Sequence, residues 1–416
     1  MNIKISILFF AALLFIFSCS NTYHLSTLQT EELFSIPIGT MEDQFDFFIS
    51  NRSPFIAENL IFLNDRLFYV VNGNAAKVMQ YSPYGFLMLL LYNPNLNPTP
   101  VLLKKDSKPQ GNKVANRKAS EYPFIDPGVV AVDKEKNIYI RDKVPEAQYV
   151  KENGTVYTNI IEVFSQSGEV KKTKENGSYV IGKEGIGGTP FPYIENMYIT
   201  ANDELVVICR TAKTWQIYWY TASRDLAYEV EIDTGHIPVP KNKDYIPSLE
   251  KIVPDYHKKL LYVMVSYSQR VIDKFTGMVE RVKNVESRVF KLDLLKGKYN
   301  ANSILVPNEE QGESGLFEGK KKIDISLYEF LGVSDSGYFF FTKMKDSTTY
   351  YLLILNGAGE TVKKTKFQID DTDLVYINFA LSRKGILCAL IIETSQARVV
   401  WWRSDKIIEN RSNETG

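Results

Sequence analysis

Glu135-Lys136-Asn137-Ile138-Tyr139-Ile140, followed further on by Ile160-Ile161-Glu162-Val163-Phe164 and Ser165-Gln166-Ser167-Gly168, is the stretch on which the fold turns. A polar turn leads into a continuous apolar run, and a second apolar run closes on another turn. Turn residues beside β-branched and aromatic runs read as strands joined by hairpins. The first run is apolar at consecutive positions rather than alternating, which requires a strand covered on both faces.

The same phrase returns on either side of it. The first copy has Asn64-Asp65, runs at 67–71 and 78–81, and Ser82-Pro83-Tyr84-Gly85. The third has Asn202-Asp203, runs at 205–208 and 217–220, and Thr221-Ala222-Ser223. The fourth has His257-Lys258-Lys259, runs at 260–265 and 289–292, and Lys296-Gly297, with a polar excursion at 269–288 as a candidate contact element. The fifth has Asp335-Ser336-Gly337, runs at 338–341 and 350–355, and Asn356-Gly357-Ala358-Gly359. The sixth has Arg383-Lys384-Gly385, runs at 386–392 and 399–402, and Arg403-Ser404-Asp405. Self-similarity on this scale signals a repeat architecture. Sheets stacked radially, each covering both faces of the next, make a six-bladed, all-β propeller, with seven blades as the alternative. A sandwich or barrel does not return one phrase six times.

The sixth phrase runs out of chain before an outermost strand, leaving Lys406-Ile407-Ile408 and a polar tail. Leu33-Phe34-Ser35-Ile36-Pro37-Ile38 precedes the first phrase without a blade of its own. It is therefore expected to pair with the last blade, closing the ring and hiding an open sheet edge. Pro37 restricts it to an outer position.

Upstream lies Met1-Asn2-Ile3-Lys4, an apolar stretch at 5–17, then Ser18-Cys19-Ser20. This is the order of a secretory signal, too short for a membrane span. Ile16-Phe17-Ser18-Cys19 resembles a lipobox, so residues 1–18 are expected to be a signal peptide and Cys19 the lipid attachment site, with Phe17 departing from the usual small residue. Residues 19–30 then form a flexible tether, 31–408 the propeller, and 409–416 a polar tail. The expected setting is a bacterial cell envelope, periplasmic or at the outer membrane.

The lipobox, Ile38-Gly39-Thr40, the phrase Val130-Ala131-Val132-Asp133-Lys134-Glu135-Lys136-Asn137-Ile138-Tyr139-Ile140, and Val163-Phe164 with Gly168 together resemble NHL-type six-bladed β-propeller lipoproteins, particularly an uncharacterised spirochaetal lipoprotein family. Only the second phrase matches the blade signature closely. The resemblance implies an exported propeller and supplies no catalytic or ligand residues.

Among 416 residues, Lys plus Arg and Asp plus Glu balance at 49 each, so nothing points to nucleic acid. Three cysteines make no disulfide framework, and Cys209 and Cys388 sit in apolar runs as small buried hydrophobes. His24, His236 and His257 belong to no zinc, redox or hydrolase motif. Asp370-Asp371-Thr372-Asp373 lacks the spacing of a calcium loop. Gly182, Gly185, Gly187 and Gly188 are followed by no phosphate-binding Lys-Ser/Thr. The basic loop with Lys104, Lys105, Lys108, Lys113 and Arg117 reads as solvated, with anionic lipid as the competing reading. Asn153-Gly154-Thr155 and Asn176-Gly177-Ser178 match glycosylation sequons that mean little in a bacterial lipoprotein.

No catalytic, cofactor-binding or metal-binding residue and no cofactor is assigned. Two functions remain: a non-catalytic binding or interaction module, or a lactonase- or glycosidase-like hydrolase with carboxylates converging on the central channel. The partners expected are membrane lipid through the anchor and a protein or small molecule, with no nucleic acid, and the chain is expected to be a monomer.

Overall fold

The computed structural model describes residues 25–47, 58–103, 117–173, 177, 179–241, 243–308, 327–370 and 372–414. Residues 1–24, and with them the signal, Cys19 and His24, lie outside the described residues, as do the lysines of the basic loop.

Six antiparallel meanders are arranged as blades. Blade I runs from the inside out through Asn59–Asn64, Leu67–Asn72, Lys77–Tyr81 and Leu87–Tyr92, with Lys118–Glu121 added in parallel at its rim. Blades II to VI begin with the inner strands Val130–Val132, Tyr193–Ile199, Ile246–Pro254, Glu329–Val333 and Leu374–Leu381. Within each meander the first and third turns lie on one face of the ring, here the lower. The second turns and the connections to the next blade lie on the opposite, upper face.

The consecutive apolar runs are the second strands, and they are buried on both sides. Leu205–Arg210 is buried at every position but the last, and Leu387–Glu393 at every position but the last. Apolar clusters fill the gaps between neighbouring blades, such as Val206, Ile208 and Trp219 of blade III against Leu261, Val263 and Val265 of blade IV. Burying such side chains supplies about 1.5–3 kcal/mol each, and the interlock takes the place of disulfides.

Glu31–Pro37 closes the ring as the outermost strand of blade VI, pairing antiparallel with Gln396–Trp402 from Glu31↔Trp401 to Pro37↔Gln396. Phe34 and Ile36 point into the core, Ile36 only 1% exposed. Pro37 sits on the free edge, where its missing N–H costs no ladder bond. Ser26, Leu28 and Thr30 continue along the outer strand of blade V, bonded to Thr365, Lys366 and Gln368.

Two elements differ from the sequence reading. The innermost strand of every blade precedes the turn that opens each phrase and had no place in the phrase. The C-terminal segment also coils into a helix, Asp405–Glu414, where only a polar tail was expected. Ile408 is buried with Trp402 and Phe340, and a short apolar doublet on an otherwise polar helix gives too little periodicity to read.

The turn of the opening stretch is held by a buried network. Asp133 accepts bonds from Asn137 N at 2.8 Å, Asn137 Nδ2 at 2.7 Å and Tyr139 Oη at 2.9 Å. Arg224 of blade III lies over the Tyr139 ring and donates to its hydroxyl at 2.7 Å and to Asp203 O at 2.6 Å. The residues that make a turn in blade II thereby clamp it to blade III.

Candidate functional site: the central channel

All six inner strands contribute to a cavity of about 180 Å³ on the ring axis. Apolar residues of its walls include Leu60 and Phe62 from blade I, Val130 and Val132 from blade II, Leu331 from blade V and Ala380 from blade VI. One tier is polar. Asn196, Lys251 and Asn378 each occupy the fourth position up from the lower end of their inner strand, so blades III, IV and VI present three polar side chains at one depth.

Lys251 Nζ donates to Leu331 O at 3.0 Å, and its other two N–H bonds have no protein acceptor among the described residues. Burial pushes its pKa down, opposed by the charges of Glu329 and Glu195 above it. Asn378 spends its Oδ1 on Ile61 N at 3.0 Å, tying blade VI to blade I.

Above this tier stand the carboxylates of Glu58 and Glu195, each beside an arginine. Glu58 accepts Tyr193 Oη at 2.7 Å and pairs with Arg141 Nη2 at 3.0 Å. Arg141 is fully buried. Burial works against its charge, but Glu58 and Asp126 outweigh it and hold the guanidinium firmly protonated. Gly128 makes room for it, since a Cβ there would stand 2.0 Å from Arg141 Nη2. Glu195, the extra residue of a bulge in blade III, lies 3.5 Å from Arg210 Nε. At the lower end Arg383 stacks over Tyr256 at 4.9 Å, and its Nε has no hydrogen-bond partner among the described residues. Burial raises the Tyr256 hydroxyl to about 12, with Arg383 opposing.

No group of three or more His, Cys, Asp or Glu side chains converges with metal-binding geometry among the described residues. Cys209 and Cys388 are free and fully buried. Burial pushes both thiols well up, Cys388 to about 12, which disfavours the thiolate. His236 is exposed and bonded to Asp233, and His257 reaches Asp335 O on the lower face; neither lies on the channel. Asp370 accepts from Thr372 N and Oγ1 in a local turn, and Asp371 lies outside the described residues. Asn153-Gly154 is the tip of a two-stranded hairpin in blade II, and Asn176 lies outside. Arg117 donates to Leu87 O.

The glycine stretch makes a tight turn. A Cβ on Gly182 would meet Thr189 O at 2.3 Å, and Glu184 holds Thr189 N at 2.7 Å. Gly187 and Gly188 border a second cleft of about 520 Å³ on blade II, together with Tyr122, Asp142 and Glu162. Asp142 and Glu162 are diagonal neighbours on one sheet face. Burial raises Asp142 to about 6 and Glu162 to about 7, with Asp142 adding to the rise of Glu162. Asp142 accepts the backbone N–H groups of Ile125 and Asp126 and thereby pins the crossing from blade I.

No family model and no curated protein matches the chain. Solved structures do match. They include a polysaccharide lyase of the ulvan lyase type bound to a glucuronate–rhamnose 3-sulfate fragment (10% identity, TM-score 0.39, covering 91% of this chain and 96% of that one). A streptogramin B lyase matches at 10% identity and TM-score 0.34, over 82% and 77% of the two chains. A gluconolactonase from Xanthomonas campestris matches at 10% identity and TM-score 0.37, over 81% and 82%. At this distance the similarities carry no argument about activity, and the six-bladed β-propeller stands on the strand pairings of the chain itself.

Proposed function

We propose that this chain is a membrane-anchored lipoprotein of the cell envelope, fixed through Cys19, whose propeller is a non-catalytic binding module with its ligand seat in the central channel. The observation that carries the reading is the polar tier Asn196–Lys251–Asn378, brought to one depth by three of the inner strands that line the shaft. Half-buried polar groups, among them an ammonium with spare donors, in a small cavity are what a recognition site needs. The volume is below the roughly 300–1,000 Å³ of drug-sized sites, so the ligand is small. Amide and ammonium donors select a hydroxyl- or carboxylate-bearing molecule.

The hydrolase alternative draws on Glu58, Glu195 and Glu329 around the upper mouth. Glu58 and Glu195 each lie beside an arginine, which orients a carboxylate and suits a structural rim better than proton transfer. The test is thermal unfolding of the purified chain with ribose, myo-inositol and succinate as probes, alongside calcium and zinc. At least one organic probe is expected to raise the midpoint of the wild type and to leave Lys251→Met unchanged. A shift produced by the metals alone would reverse the order of the two readings.

A further inference from the structure

In blade IV the second and third strands, Leu260–Ile272 and Val279–Asp293, outrun every other strand of the ring. The inner strand accompanies them only as far as Ser268. Beyond it a two-stranded ribbon projects from the upper face, and its tip is not polar. Phe275 is 98% exposed and Met278 73%, and Ile272, Val279 and Val282 are each more than half exposed. A monomer in water gains nothing by displaying such a cluster.

The register places these side chains beside charge of one sign. Ile272 pairs with Val279 and Arg270 with Val282, so apolar and basic residues share a ribbon face. Arg270, Lys274, Arg281 and Lys283 outnumber Asp273 and Glu280. Asp273 is spent inside the turn, accepting from Phe275 N, Thr276 N and Thr276 Oγ1. An apolar tip with basic shoulders is the arrangement of an interfacial membrane contact, in which the ring enters the headgroup boundary and the cations meet lipid phosphates.

Both faces of the ring carry further exposed apolar side chains. Exposed Val156, Val239, Ile246, Met344 and Val375 lie on its connections or at the strand ends leading into them, whereas the lower-face turns expose Tyr84, Phe86 and Leu295. The described chain begins at Leu25, beside the outer strand of blade V and next to the blade that carries the ribbon. The six residues from Cys19 to Leu25 reach at most about 20 Å, so an anchor at Cys19 would keep the ring close to a bilayer.

We propose that the blade IV ribbon is a second membrane contact that inserts its tip into an anionic lipid surface and turns the upper mouth of the channel toward the bilayer. The anchor reading supplies the nearby membrane, but the tip is tested without it. The full chain carrying Cys19→Ser, and so unacylated, is mixed with vesicles of phosphatidylethanolamine and phosphatidylglycerol or of phosphatidylcholine alone.

It is expected to co-sediment with the anionic vesicles, and Phe275→Asp with Met278→Asp is expected to weaken binding by about tenfold or more at an unchanged melting midpoint. Phe275→Trp should show blue-shifted emission on vesicle addition. Absence of vesicle binding, equal binding by the double variant, or a tip that instead drives self-association in sedimentation velocity would each overturn the proposal. Membrane retention of the acylated wild type, lost in Cys19→Ser, reports on the anchor alone and keeps the two failures apart.

Discussion

Glu162 shows how one side chain writes a pH dependence into a propeller. It is 3% exposed, lies diagonal to Asp142 across a strand pair, and its Oε2 has no hydrogen-bond partner among the described residues. Its folded pKa of about 7 and that of Asp142, about 6, lie above the ordinary values. The fold therefore favours the protonated forms. Their stabilisation is fully present below about pH 4 and is lost as the pH rises through 6 and 7, by about 3 kcal/mol for each group. Glu162→Gln keeps the shape and removes the charge. It is expected to raise unfolding free energy at pH 8 by about 1–3 kcal/mol and to flatten the slope between pH 5 and 8 in urea titrations. An unchanged slope would place the titration elsewhere.

Among the elements, the C-terminal helix is a wedge rather than a tail. Ser404 Oγ donates to Gly385 O at 2.6 Å and accepts Leu387 N at 3.1 Å, locking the helix start onto the blade VI turn. Gly385, at φ +86°, lies so close that a Cβ would meet Ile408 at 3.0 Å. Ile408→Asp buries a charge in that contact and is expected to cost about 3 kcal/mol or more, read as a lowered melting midpoint with the β-sheet circular dichroism preserved. This helix escaped the sequence because Ile407-Ile408 stand alone among polar neighbours, whereas the second and third strands announced themselves by unbroken apolar runs such as 205–208 and 386–392. The inner strands were hidden for the opposite reason. Tyr193–Ile199 and Ile246–Pro254 mix polar with apolar residues and carry bulges, because one side of each faces a channel and not another sheet. The candidate site lies on those strands. Asn196, Lys251 and Asn378 become a set only when three blades are brought to one depth.

For the whole molecule, the ring is a closed circuit of interlocked sheets, and one strand pairing completes it. A chain beginning at residue 38 lacks Phe34 and Ile36 and exposes the edge of Gln396–Trp402. It is expected to lose the single calorimetric transition of the full protein and to regain it when a peptide of residues 25–37 is added in excess. A truncated chain that melts as sharply as the intact one would show that closure contributes nothing. Closure by Glu31–Pro37 and the burial of both faces of the second strands were legible in the sequence, because an unpaired leading segment and a blade short of one strand are complementary deficits.

That pairing also dictates a timetable. If the chain emerges from its N-terminus, Ile36 appears early and its partner Ala397 almost last. Bringing such distant segments together costs about 5 kcal/mol of loop-closure entropy, and contacts of this span are slow to form. If the chain is exported as proposed, the first ribbon to cross the pore would wait, unmatched, for its partner near residue 397, so most of the ring would be translocated before it could seal and jam the passage.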